Sequence, residues 1–219
     1  MIRAIFIASA LLLGSPAAGQ SGESLARETP PISPAITPEV RVAITTAEGP
    51  IVLAIDKDKA PITATNFLKY VDGKKLDGTV FYRTVKVAPG YGFIQFGTQN
   101  DPKRTLPPIA HEPTSKTGLS HVDGAISMAM ASPGTSRGDF FIIVGNTPAM
   151  DAEGSNAGYA VFGRVVEGMD VVRRIMELPT SPTKGEGIMK GQMLEPTVSV
   201  KTARRAPTPA VAPVSKDLP

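Results

Sequence analysis

The segment GAISMAMASPGTSRGDFFIIVG, Gly124 to Gly145, joins a small-residue strand to a paired-aromatic strand through a loop of Ser, Pro, Gly and Thr. Successive side chains of a strand point to opposite faces, so Phe140 and Phe141 cannot both enter one core. Phe140 is assigned to the interior and Phe141 to a cavity on the other face. Ala129 and Ala131 leave room in front of the sheet that larger side chains would fill. A single exposed aromatic beside a single Arg then suits a group the size of a proline ring.

Outward from this segment, Val40 to Thr46 sets Val40, Val42 and Ile44 against Arg41, Ala43 and Thr45. The turn Ala47-Glu48-Gly49-Pro50 leads into the apolar run Ile51 to Ile55, which predicts an opening hairpin. Beyond Pro61 the spacing changes to Ala64, Phe67, Leu68 and Val71, predicting a helix over Pro61 to Asp72 with Pro at its start and Gly73 past its end. Short β-rich segments follow at Val80 to Thr84, Phe93 to Gly97, Ala125 to Ala131, Phe140 to Val144 and Ala160 to Val165. Gly168 to Leu178 repeats the helical period, and Thr197 to Thr202 supplies a last strand. Many short strands with two helices predict a mainly β fold closed into a barrel, because closure removes edges that an open sheet must protect.

The ends read differently. Met1-Ile2-Arg3, the apolar run Ala4 to Leu13 and the small residues up to Gly19 have the three parts of a secretory signal, with cleavage expected near Gly19. The apolar run is about ten residues, short of the ~20 a membrane-spanning helix needs, so no span is expected after cleavage. Residues 20–39, with Pro30, Pro31, Pro34 and Pro38, read as an extended leader, and residues 203–219 as a disordered Pro/Ala-rich tail. That leaves 40–202 as one domain. The chain has no Cys, which removes disulfides and thiol chemistry. Without Arg3 the formal charge falls from +3 to about +2, and no basic stripe with interleaved aromatics occurs, so nucleic acid is not an expected partner.

Two further blocks join the first: Phe81-Tyr82-Arg83 followed by Phe93-Ile94-Gln95-Phe96-Gly97, and Tyr159-Ala160-Val161-Phe162-Gly163-Arg164-Val165-Val166-Glu167-Gly168-Met169-Asp170. In this order the three blocks resemble the cyclophilin family of peptidyl-prolyl cis/trans isomerases, in particular its exported bacterial members. The resemblance implies a closed eight-stranded antiparallel barrel capped by two helices, packed solid inside, with the binding groove on its outer surface. It also implies catalysis of X-Pro rotation without cofactor or metal. Expected partners are proline-containing peptides and unfolded exported proteins, the expected location is periplasmic or extracellular, and the expected state is a monomer.

By the same resemblance Arg83 holds the catalytic position. Phe93, Gln95, Ala129, Phe141, Met150 and Tyr159 form the substrate site, Gln95 orienting the arginine and Tyr159 standing where many members carry His. Tyr91-Gly92-Phe93 aligns with the family pattern in two registers one residue apart. Ala149 replaces a Trp common in the family, and Asp139 a substrate-contacting Gln; a carboxylate there could pair with Arg83 and blunt it. The runner-up reading is a peptide-binding, chaperone-like module on the same barrel, and a third is a small-molecule carrier with a hollow interior. His111 and His121, ten residues apart without a third ligand, are read as orienting loops, with Glu112, rather than as metal ligands.

Overall fold

The computed structural model describes residues 39–207; the expected signal, most of the expected leader and the chain from residue 208 lie outside the described residues. β1 (Val40–Thr46) and β2 (Pro50–Ile55) form the expected hairpin, in register from Val40 opposite Ile55 to Thr45 opposite Pro50. Then come α1 (Pro61–Asp72), β3 (Val80–Ala88), β4 (Tyr91–Gly97), α2 (Thr114–Thr117), β5 (Ala125–Met128) and β6 (Asp139–Val144). The remaining elements are β7 (Ala160–Glu167), α3 (Met169–Glu177), β8 (Thr180–Ser181) and β9 (Met193–Ala206). Hydrogen bonding follows the order β1-β2-β7-β5-β6-β4-β3-β9, and β9 returns to β1 to close an eight-stranded antiparallel barrel. The two-residue β8 only lies against the start of β9.

The inward positions are bulky and fully enclosed. Ile44, Leu53, Phe81, Ile94, Phe96, Ile126, Phe140, Ile142 and Phe162 belong to one cluster, so the barrel has no room for a carried ligand. α1 adds Ala64, Phe67, Leu68 and Val71 to that cluster, with the Phe67 ring edge-on to Phe140 at 5.0 Å. α3 adds Val171, Val172 and Ile175. Both helices match the 3.6-residue apolar stripe read from the sequence. Among the described residues no helix is long and apolar enough to cross a membrane.

α1 lacks a side-chain cap of its own at Ala60. Glu112 supplies one from about fifty residues away: Ile62 N–H and Thr63 N–H donate to its carboxylate at 3.0 and 2.6 Å, and the Thr63 hydroxyl donates at 2.7 Å. An anion at a helix N-terminus also opposes the helix dipole.

Three expectations need correction. A third helix, the single turn α2, follows Pro113 and ends at Gly118 in the left-handed region, too short for a periodic pattern to reveal. The strand expected over Ala125 to Ala131 ends at Met128. The tail does not begin at residue 203, because β9 continues to Ala206: Ala203 faces Ile44 and is fully buried. Arg204 and Arg205 are fastened to Asp77 and Asp72. Composition misjudged these residues because their partner is the second edge of β1, which barrel closure must cover.

Candidate functional site

The site begins at an irregularity in β3. Phe81 pairs with Phe96 and Arg83 with Gln95, so Tyr82 is an extra residue that β4 does not match. Such a bulge re-aims neighbouring side chains. Phe81 enters the barrel core, while Arg83 stands on the outer face with its cross-strand partner Gln95. The row continues from Gln95 to Phe141, Ser127 and Val161, crossing β4, β6, β5 and β7. Residues from these strands build a second apolar cluster outside the barrel, of Ala125, Phe141, Ile143 and Val161, with Phe93, Ala129, Met150 and Tyr159 packed against it.

Phe140 and Phe141 thus divide as alternation requires, one to each cluster. Phe141 is not the exposed aromatic the sequence suggested, since it is 2% exposed and forms the floor. Phe93 at 5.2 Å and Tyr159 at 5.4 Å, ring centre to ring centre, are half-buried walls around it. Ala129 and Met150 stand half-buried at the edge, whereas Ala131 lies exposed in the following loop. All seven residues named from the sequence therefore meet on one outer face, with Arg83 Cζ 5.3 Å from the centre of the Phe93 ring.

Arg83 is held by two glutamine oxygens. Its Nη1 donates to Gln95 Oε1 at 2.9 Å, while Nε and Nη2 donate to Gln192 Oε1 at 2.9 and 2.6 Å. A guanidinium has five N–H groups, so one remains on each terminal nitrogen. Asp139 does not pair with Arg83. Its Oδ1 accepts from Tyr82 Oη at 3.1 Å and from Gln99 N–H at 3.0 Å, and Tyr82 Oη in turn accepts from Gln95 Nε2 at 2.6 Å. Burial raises the Asp139 pKa above its ordinary value against the pull of the Gln99 and Tyr82 bonds, and burial keeps the Tyr82 phenol protonated. The approach of β4 to this corner requires Gly97, whose φ is +144° and where a Cβ would lie 2.2 Å from Gly138 O.

Behind the floor, His121 is fully buried and parallel to the Phe141 ring at 6.0 Å. Its Nδ1 lies 2.6 Å from Asp151 Oδ1 and its Nε2 3.0 Å from Ser127 Oγ, while Ser120 Oγ and His121 N–H also donate to Asp151. Asp151 follows Met150 directly, so this network fixes the loop carrying the Met150 edge. Burial lowers the His121 pKa although Asp151 opposes the shift. The ring therefore carries its hydrogen on Nδ1, and its Nε2 accepts a hydrogen bond from the Ser127 hydroxyl.

Gln192 is the residue that sequence reading missed. It lies in a loop 109 positions from Arg83, and only the pairing of β3 with β9 brings it near.

A family model described as "Cyclophilin type peptidyl-prolyl cis-trans isomerase/CLD" matches residues 41–202. The chain is a cyclophilin. Among curated relatives, this cyclophilin is 38% identical over 149 residues to peptidyl-prolyl cis-trans isomerase A of Dickeya dadantii, covering 67% of this chain and 76% of that one. It is 38% identical over 143 residues to a peptidyl-prolyl cis-trans isomerase of Acinetobacter baylyi, covering 64% and 73%. A crystal structure of a Cryptosporidium parvum cyclophilin type peptidyl-prolyl cis-trans isomerase superposes with TM-score 0.60 at 20% identity, covering 78% of this chain and 99% of that one. The cyclophilin is accordingly an isomerase, of a family that acts on proline-containing peptides.

Proposed function

We propose that this cyclophilin turns X-Pro bonds by aiming the Arg83 guanidinium at the prolyl nitrogen while the ring sits on the outer cluster, and that its substrates are exported proteins. Rotation about the amide faces a barrier of about 18–20 kcal/mol because resonance must be lost, and no bond to carbon is made or broken. As the amide twists, its nitrogen becomes pyramidal and regains a lone pair. A donor placed there interacts only near the transition state, the condition for raising kcat. The apolar seat removes water that favours the planar, polar amide. A barrier lowered by about 7 kcal/mol corresponds to roughly 10⁵-fold acceleration.

One observation carries this reading: the two uncommitted N–H groups belong to an arginine 5.3 Å from Phe93, whose ring lies tilted against Phe141 at 5.2 Å. Donor and ring seat adjoin. Gln95 orients the arginine, Phe93, Ala129, Phe141 and Met150 receive the pyrrolidine, and Tyr159 offers its hydroxyl to a substrate carbonyl. NMR exchange on a short X-Pro peptide tests the assignment. Arg83→Ala should be slower by about a hundredfold, the scale of losing one transition-state donor, with the fold retained. A rate equal to wild type would overturn the mechanism, and peptide affinity without acceleration by wild type would instead select the binding-module reading. For export, the protein recovered from the periplasm or medium should have the mass of a chain cut near Gly19; intact Met1 in the cytosol would refute it.

A further inference from the structure

We infer that Asp139 and Tyr82 are a positioning pair that fixes the direction of the hydrogen-bond chain ending on Arg83, and so sets where its free N–H groups point. The inference rests on the reading of Arg83 as the donor to the prolyl nitrogen. The chain runs Arg83 to Gln95 to Tyr82 to Asp139, with contacts of 2.9, 2.6 and 3.1 Å. Its ends are chemically unlike: a guanidinium only donates, and an ionised carboxylate only accepts. The two groups between them can each do both. Tyr82 has one proton, and Asp139 claims it. Its oxygen must then accept from the Gln95 NH₂ group, which turns Gln95 Oε1 toward Arg83. Every hydrogen in the chain points from the cation to the anion, and such chains strengthen cooperatively.

The β3 bulge makes this possible, because it places Tyr82 and Arg83 side by side against β4. Tyr82 is 8% exposed and Gln95 likewise 8%, so water offers little alternative to either. When Asp139 is protonated and donates to Tyr82, or is removed, the Tyr82 hydroxyl is free to donate toward Gln95, whose amide can then flip and present its NH₂ group to Arg83. That arrangement sets donors against donors and releases the guanidinium from Gln95.

Acid should therefore slow the enzyme, since a protonated Asp139 turns from acceptor to donor toward Tyr82 Oη, which an Asn oxygen held by Gln99 N–H does not. Burial raises the Asp139 pKa, so the loss begins at higher pH than for an ordinary Asp as pH falls. The groups facing Asp139 are Tyr82 from β3, Tyr70 from α1 and the main-chain N–H groups of Gln99 and Asn100 after β4, while Arg137 of the preceding loop acts on Tyr70. Both tyrosines have raised pKa values and stay neutral through this range. His121, stacked on Phe141, and its partner Asp151 are further groups near the groove that titrate in acid.

The test is X-Pro exchange kinetics from neutral to acid pH on wild type, Tyr82→Phe, Asp139→Ala, their double variant, Asp139→Asn and Arg83→Ala. Each of Tyr82→Phe and Asp139→Ala should lower kcat about tenfold with KM nearly unchanged. The double variant should also lose about tenfold, because both changes break one relay. Asp139→Asn keeps an oxygen acceptor in place; it should regain most of the neutral-pH rate and lack the wild-type acid limb attributed to Asp139. A hundredfold loss in the double variant, an Asp139→Asn enzyme as slow as Asp139→Ala, or an acid limb unchanged in Asp139→Asn, as His121 would give, overturns the inference. If Tyr82→Phe does not fold, the Asp139→Asn and Asp139→Ala comparison decides alone. Should Arg83→Ala match wild type, the donor reading itself falls; should Arg83→Ala be slow while Tyr82→Phe is not, only the relay falls.

Discussion

Replacing Gln192 with Leu removes the oxygen that receives two of the three N–H groups by which Arg83 is held. The backbone at this point is fixed independently, since Gln192 O accepts from Thr84 N–H at 2.9 Å and Gln192 N–H donates to Met189 O at 3.0 Å. The substitution should therefore act through the side chain alone. A hydrogen bond to a charged group contributes about 1.5–3 kcal/mol when its partner is left stranded. Arg83 is only half-buried, so water replaces most of what is lost, and the stability cost should be about 1 kcal/mol, a fall of roughly 2–4 °C in melting temperature. The kinetic cost should be larger in proportion. With Gln95 as its sole anchor the guanidinium pivots, and if the productive aim is then held one-tenth of the time, kcat falls about tenfold, equivalent to about 1.4 kcal/mol. KM should hold, because the lost interaction belongs to the twisted amide and not to the planar one. Line-shape or exchange NMR on an X-Pro peptide reads both constants, and a thermal melt reads stability. A kcat within twofold of wild type at unchanged fold would show that Gln95 alone suffices and refute the two-anchor account.

Glu112→Ala should destabilise the fold by about 2–3 kcal/mol, since it strands two helix N–H groups and the Thr63 hydroxyl; urea unfolding measures it. Phe140→Ala should cost about 3–5 kcal/mol with the groove face untouched, whereas Phe141→Ala should abolish most turnover, because the two rings serve different clusters; paired melts and exchange rates separate them. His121 is neutral when folded, with its pKa below the unfolded value. The unfolded chain therefore takes the proton first as pH falls, and the stabilisation is complete above about pH 6.5 and declines below it. Urea midpoints between pH 7.5 and about 5 should fall less steeply for His121→Gln than for wild type, and parallel slopes would contradict this.

Much of the fold was legible because its signals are local. The stripe Ala64, Phe67, Leu68, Val71 and the flanking Pro61 and Gly73 mark α1 to the residue. The adjacency of Phe140 and Phe141 shows that the sheet has two apolar faces. The parts that escaped depend on distant pairing. Tyr82 looks like an ordinary strand residue until β4 fails to match it. Nothing around Gln192 hints at an arginine on another strand. Asp139 invites a charge pair with Arg83, yet its carboxylate is taken by Tyr82 and Gln99 N–H. Ala203 to Ala206 have the composition of a loose end but the position of a strand, because β1 needs a second neighbour.

A cylinder filled to its axis, with its working surface on the outside, has nothing to open between one turnover and the next. In the proposed mechanism substrate arrives and departs across the wall of β3, β4 and β6, and nothing in the packed interior has to move. Interior substitutions that raise the melting point should thus leave the turnover number intact, an exception to the usual exchange of rigidity against speed.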